Sequence, residues 1–129
     1  MPVGDLKGEQ CIVIPVLAGG AVAKGDVVHL EGDGYWDETA SGDTGKFGVA
    51  LNAAAAEGDP IQVCIWGPCV VASSAAAIAK GAYVVTDAGV VKDAGTLSAT
   101  TVIGTFVGTA MEAVGSSGGN LTVWIGLVG

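Results

Sequence analysis

Arginine is absent from this 129-residue sequence, and histidine occurs once, at position 29. Five lysines face 13 acidic residues, for a formal net charge of −8, so the chain lacks the basic surface that binds a phosphate backbone. No apolar run is long enough to cross a bilayer, and the N-terminus has no basic start followed by an apolar stretch. These absences predict a soluble chain made in the cytoplasm, with neither nucleic acid nor membrane as a partner.

Cysteine is scarce and badly spaced for a metal or redox site. The three cysteines, Cys11, Cys64 and Cys69, cannot all pair within one chain, and four residues separate the last two where zinc and redox motifs have two. With a single histidine available, no set of borderline metal ligands can be assembled. We therefore predict reduced, mostly buried thiols, no bound metal and no cofactor.

What the sequence does contain is short apolar runs separated by glycine. Half the residues are apolar and 22 are glycine, which favours one compact domain made of short strands and tight turns. The alternation in residues 28–31 places Val28 and Leu30 inside and His29 and Glu31 outside. One segment, residues 73–81, has the serines, alanines and terminal glycine of a short helix. Strands are predicted at residues 11–16, 26–31, 45–51, 61–66, 68–72, 82–86, 101–107 and 121–128.

The chain also repeats itself. Residues 21–28 recur as residues 77–84 at an offset of 56, which aligns Lys24 with Lys80. The same offset aligns Phe47-Gly48 with Ile103-Gly104, whereas residues 61–65 match residues 121–125 at an offset of 60. The difference predicts an insertion of about four residues in the loop 114–119, where length changes are well tolerated.

Two copies in so short a chain share one core, because neither copy could bury enough surface alone. The predicted fold is a single, mostly β domain at residues 11–129 with an internal pseudo-two-fold repeat and at most one short helix. The repeats span residues 21–67 and 77–126. Residues 1–10 are predicted to form a flexible N-terminal arm.

Two local motifs have alternative explanations. Residues 115–119 fit the pattern G-x-S-x-G of a hydrolase nucleophile elbow, but that serine needs a large α/β sheet to supply its partners, so a loop of small residues explains the match better. The acidic residues 31–38 lack the ligand order of an EF-hand, which favours a solvated hairpin over a calcium loop. Within that hairpin Tyr35 and Trp36 are candidates either for an interface anchor or for core packing.

Several pieces of the chain, in order, resemble phage capsid cement (head decoration) proteins. The pieces include residues 16–28, 47–50, 57–63, 74–81 and 121–123, and together they cover about residues 12–128. The resemblance implies a compact β-barrel or β-tulip-like domain that is not an enzyme. It also implies a virion protein that binds the major capsid protein on the outside of a tailed-phage head as a homotrimer and stabilises the shell.

Other protein classes stay open at this point. The segments around Lys24 and Lys80 are similar to the hammerhead turns of biotinyl and lipoyl carrier domains, although each lysine precedes a glycine at a strand entry. A small oligomeric β-barrel enzyme with a site between subunits is the third reading. For a cement protein, the polar arm ahead of the first strand is the expected shell contact, since such a segment can add to an exposed strand. The predicted capsid-contact residues are Pro2, Val3, Gly4, Asp5, Leu6 and Lys7.

Overall fold

A computed structural model of the chain describes residues 3–4, 11–95 and 105–126. The described residues form nine β-strands and no helix, so they contain no helix that is long and apolar enough to cross a membrane. Every paired strand is antiparallel to its neighbour. The strands are β1 (Ile12–Leu17), β2 (Val27–Leu30), β3 (Trp36–Glu38), β4 (Phe47–Ala50), β5 (Pro60–Ala72), β6 (Tyr83–Asp87), β7 (Val90–Asp93), β8 (Phe106–Ala110) and β9 (Asn120–Ile125).

One long strand joins the two halves of the sheet. The order is β3-β2-β4-β5-β9-β8-β6-β7, with β1 also on β5. The first part of β5 pairs with β1 and β4, and its second part, which begins at Gly67, pairs with β9. Parallel bridges from Ala18 to Trp36 and from Ser73 to Val91 connect the two ends of each half, so each half curls back on itself.

The two halves make the same hydrogen bonds. Gly25 N–H donates to Ala50 O at 2.7 Å, and Gly81 N–H donates to Ala110 O at 2.8 Å. Both glycines have positive φ, 91° and 87°, which explains why the Lys-Gly pair recurs in the sequence. The predicted fold class, a mostly β domain with an internal repeat, is therefore confirmed.

Each half encloses its own apolar core at equivalent positions. Ile61 and Val63 of the first half correspond to Leu121 and Val123 of the second, and all four are fully buried. Ile61 and Val63 lie in the first core, and Ile65 packs against it. The second core also includes residues from the outer side of the first half, chiefly Val27, Phe47, Val49 and Cys64. The two halves therefore pack against each other through the face of the first half that carries these four residues.

The position of the insertion differs from the prediction. Glu38 pairs with Val28 as Asp93 pairs with Val84, so Glu38 and Asp93 are equivalent and their offset is 55. Gly48 pairs with Val28 as Gly108 pairs with Val84, so the offset between these two glycines is 60. The extra residues therefore lie between β7 and β8, and the loop at 114–119 is not longer than its counterpart. The predicted equivalents Ile103-Gly104 lie outside the described residues, and Val107-Gly108 occupy their place in the ladder.

The short helix predicted at residues 73–81 does not form. This segment repeats the extended chain before β2, so Ile78 bridges Val114 as Val22 bridges Ala54. Ser73 accepts a hydrogen bond from Gly119 N–H at 3.0 Å through its hydroxyl and caps no helix. Tertiary pairing overrides the local helix propensity of the alanines.

Candidate interaction surfaces

The described part of the N-terminal arm lies on its own domain. Gly4 is buried and its N–H donates to Val70 O at 2.7 Å. Val3 covers the Gly25 turn so closely that a Cβ on Gly25 would be 2.0 Å from Val3 Cγ2. Two of the predicted capsid-contact residues therefore have partners within the chain, while Pro2, Asp5, Leu6 and Lys7 lie outside the described residues.

The two aromatic residues of the acidic hairpin have different environments. Trp36 is 5% exposed and packs in the first core with Ile61 and Val63, so core packing, not an interface, is its role within the domain. Tyr35 is half-buried, and its N–H donates to Asp33 Oδ1 at 3.0 Å. Of this pair, only Tyr35 is available to a partner.

Acidic side chains of the first half form two hydrogen-bonded pairs. Hydrogen bonding to Asp37 raises the pKa of Glu31, and hydrogen bonding to Asp26 raises the pKa of Glu38, with burial and charge repulsion adding in the same direction. No group of three or more potential metal ligands occurs within the described ranges. Each pair can share a proton.

Replacing Glu38 with glutamine is expected to stabilise the protein at neutral pH. The folded chain holds the proton of Glu38 at a higher pH than the unfolded chain, so this stabilisation is present below the ordinary pKa of 4.5 and is lost as the pH rises through the raised value. Glutamine keeps a hydrogen-bond donor towards Asp26 at every pH. For so exposed a group the gain is about 1 kcal/mol at most.

The measurement is the urea midpoint of Glu38→Gln and of wild type at acidic and neutral pH. Glu57→Gln, in an exposed loop, is the matched control for loss of one negative charge. A Glu38→Gln midpoint that changes with pH as steeply as that of wild type would show that the pair does not share a proton.

The residues weighed for a metal site, a nucleophile elbow and a carrier lysine lie in three different parts of the domain. His29 Nε2 lies 3.2 Å from Asp43 Oδ2, and its Nδ1 lies 3.3 Å from Thr44 O. The 115–119 loop precedes strand β9, not the helix that a nucleophile elbow requires. Lys24 packs beneath Gly4, whereas the lysine of a carrier domain stands free at a hairpin tip.

The three cysteines are free thiols, of which Cys11 is half-buried. Cys11 Sγ–H donates to Pro68 O at 3.6 Å, and Cys64 Sγ–H donates to Trp66 O at 3.5 Å. A hydrogen bond with Cys64, together with burial, raises the pKa of Cys69, while the same hydrogen bond lowers the pKa of Cys64. Cys64 and Cys69 are fully buried, so these groups line the core.

Large apolar side chains are exposed on two sheet surfaces. Ile12 and Leu17 lie on β1, whose only strand partner within the described residues is β5. Tyr83 is 45% exposed on β6, and Met111 is 43% exposed just beyond β8. Exposed apolar side chains grouped on one surface are typical of protein–protein contacts.

Comparison with known proteins gives one family and one related fold. The family model of phage cement proteins matches residues 6–127. Among solved structures, the chain is similar to the crystal structure of the head fiber gp8.5 N base in bacteriophage phi29, with a TM-score of 0.60 and 20% identity over 91% of this chain and 95% of that one. At this identity the likeness shows a shared fold. A search of curated proteins found no significant match. Since the family model spans nearly the whole sequence, the chain belongs to the phage cement protein family.

Proposed function

We propose that this protein decorates the outer surface of a tailed-phage head, where it binds the major capsid protein as a homotrimer and stabilises the shell. The observation that carries the proposal is the family match over residues 6–127. In this role the protein is a component of the virion exterior and has no catalytic activity.

The surface of the domain supports binding to other proteins. Exposed Ile12 and Leu17 lie on an edge strand, and edge strands offer unpaired backbone groups to a partner chain. Pro15 in that strand has no N–H to donate, which limits indiscriminate pairing of the edge. A partner that docks there must match a specific pattern of donors and acceptors.

The N-terminal arm is the proposed shell contact. Val3 and Gly4 hold the start of the arm on the domain, through contacts with Gly25 and a hydrogen bond to Val70. In this proposal the remainder of the arm, with Leu6 as an apolar anchor, contacts the shell together with the exposed edge strand β1.

Deleting residues 1–10 is expected to weaken binding to phage heads severely. The deletion removes the Gly4–Val70 hydrogen bond as well, so the free energy of unfolding should fall by about 1 kcal/mol while the domain stays folded. The measurement is co-sedimentation with expanded and unexpanded heads. Leu6→Asp tests the arm without removing the hydrogen bond, and Ser116→Asp in the exposed 115–119 loop is the matched control.

Loss of binding by the truncated chain and by Leu6→Asp, with full binding by Ser116→Asp, is the expected pattern. If the truncated protein binds heads like wild type, the arm is not the contact. Failure of the wild-type protein to bind any head form would contradict the proposed function itself.

A further inference from the structure

The two halves of the chain contact each other in a head-to-tail manner. The turn between β6 and β7, residues 87–90, lies on the outer face of the first half. Val27 N–H donates to Gly89 O at 2.9 Å, and Gly89 N–H donates to Thr39 Oγ1 at 3.1 Å. The hydroxyls of Thr39 and Thr86 are hydrogen-bonded beside this turn, and all these groups are buried.

The second half has the same receiving face. Thr39 N–H donates to Val27 O at 3.0 Å, and at the equivalent positions Ala94 N–H donates to Tyr83 O at 2.9 Å. We define the receiving face as Tyr83 and Ala94.

The receiving face is not covered by another part of the described chain. Tyr83 is 45% exposed where its counterpart Val27 is fully buried. Because Ala82 and Val84 take the ladder bonds to β8, the N–H of Tyr83 points away from that strand. It has no acceptor within residues 3–4, 11–95 and 105–126. In the first half the same N–H donates to the turn of the other half.

The first half also has a turn equivalent to the one that docks. The tip between β2 and β3, residues 30–35, corresponds to residues 86–90, and Gly34 matches Gly89 with φ of 88° and 82°. No atom of the rest of the described chain lies within 4 Å of a Cβ placed on Gly34. Leu30, expected from the sequence to be inside, is instead 43% exposed.

The unused turn and the unused face match in chemistry. Within the chain, Thr86 of the turn meets Thr39 of the face, a polar pair. The corresponding residues are Leu30 of the tip and Ala94 of the face, which form an apolar pair. The exchange of a polar pair for an apolar pair keeps the two surfaces complementary.

We propose that the tip at residues 30–35 of one copy docks on the receiving face of a second copy, repeating between chains the contact that the two halves make within the chain. Gly34 O then accepts from the partner's Tyr83 N–H, and Leu30 packs on the partner's Ala94. Such a contact is heterologous, since each copy uses one surface as donor and another as acceptor. The inference deepens the self-association within the proposed function by naming its surfaces, and its test needs no phage head.

Cross-linking between two single-cysteine additions tests the contact. Thr39 and Thr86 are in hydrogen-bond contact through their hydroxyls, so cysteines at the equivalent positions of two docked copies are within reach of a disulfide. Leu30→Cys and Ala94→Cys are prepared separately, shown to unfold cooperatively like wild type, and oxidised alone and as an equimolar mixture. Wild type, with its three native thiols, provides the background.

We expect a 1:1 disulfide-linked dimer in the mixture that is absent from wild type and from either variant alone, with peptide mapping that joins residue 30 to residue 94. Equal cross-linking by Leu30→Cys alone would overturn the inference, because it would show a symmetric contact. A mixture with no linked dimer would overturn it as well. Either result is independent of whether the wild-type protein binds phage heads, so the proposed function is judged separately.

Discussion

Replacing Gly108 with alanine is expected to prevent the second half of the domain from folding. A Cβ at this position would be 1.9 Å from Trp124 O and 2.9 Å from Trp124 C, both of them backbone atoms of β9. The β8–β9 ladder holds that backbone in place, so no side-chain rotation can relieve the overlap. We expect a loss of more than about 4 kcal/mol, a large part of the stability of a typical domain.

The equivalent glycine of the first half provides a graded comparison. A Cβ on Gly48 would be 2.3 Å from Val63 Cγ1, which can move, and 2.8 Å from Cys64 O, which cannot. Gly48→Ala should therefore destabilise the protein less than Gly108→Ala. Gly115→Ala, where no atom lies within 4 Å, is the control. The measurement is the urea midpoint of each variant, and equal midpoints for Gly108→Ala and Gly115→Ala would contradict the prediction.

Gly25→Ala is expected to destabilise the protein more than Gly81→Ala, although the two glycines occupy equivalent turns. Both have positive φ, so each substitution incurs backbone strain of about 1–2 kcal/mol. Only at Gly25 does the new methyl group meet another residue, with Val3 Cβ at 2.4 Å, while the space around Gly81 is open. The difference between the two variants in free energy of unfolding therefore measures how strongly Val3 holds the arm on the Gly25 turn.

A double-mutant cycle isolates the contribution of the Val3 contact to the effect of Gly25→Ala. In a chain lacking residues 1–4, Val3 is gone, and the two alanine variants should have the same free energy of unfolding relative to their parent. The full-length pair should differ, and Gly25→Ala should also make the N-terminus more sensitive to a protease. If the difference between the variants is as large without residues 1–4 as with them, the contact of Val3 with the turn has no part in it.

The features that can be predicted from the sequence are those that depend on residues close together in the chain. The repeated Lys-Gly pair, at Gly25 and Gly81, marks a turn that requires positive φ, so the internal repeat was recognisable. Two short strands, β3 and β7, are not predicted, because three or four residues with charged side chains have little strand signal. The offset at Gly108 was misplaced because Ile103-Gly104 resembles Phe47-Gly48 in letters, whereas strand pairing alone decides which glycine is equivalent.

Burial at the candidate surfaces depends on packing that no local pattern encodes. Val27 and Tyr83 stand at the same position of the repeat, yet one is buried by the other half and the other is exposed. The alternation around Leu30 predicts an inward side chain, but Leu30 is exposed although its cross-strand partner Trp36 is buried. The contact of Val3 and Gly4 with the Gly25 turn joins residues far apart in sequence, so it was not expected from a polar arm.

The single strand β5 has a mechanical consequence. Its 13 residues form the last strand of the first half and the first strand of the second, so a tensile load applied to one half passes to the other along one covalent backbone. The ladder bonds to β1 and β4 on one part and to β9 on the other lie across that backbone and are loaded in shear, where many bonds must break together. In the proposed role on a phage head, the two halves of the domain would therefore resist a pulling force together and would not separate at their junction.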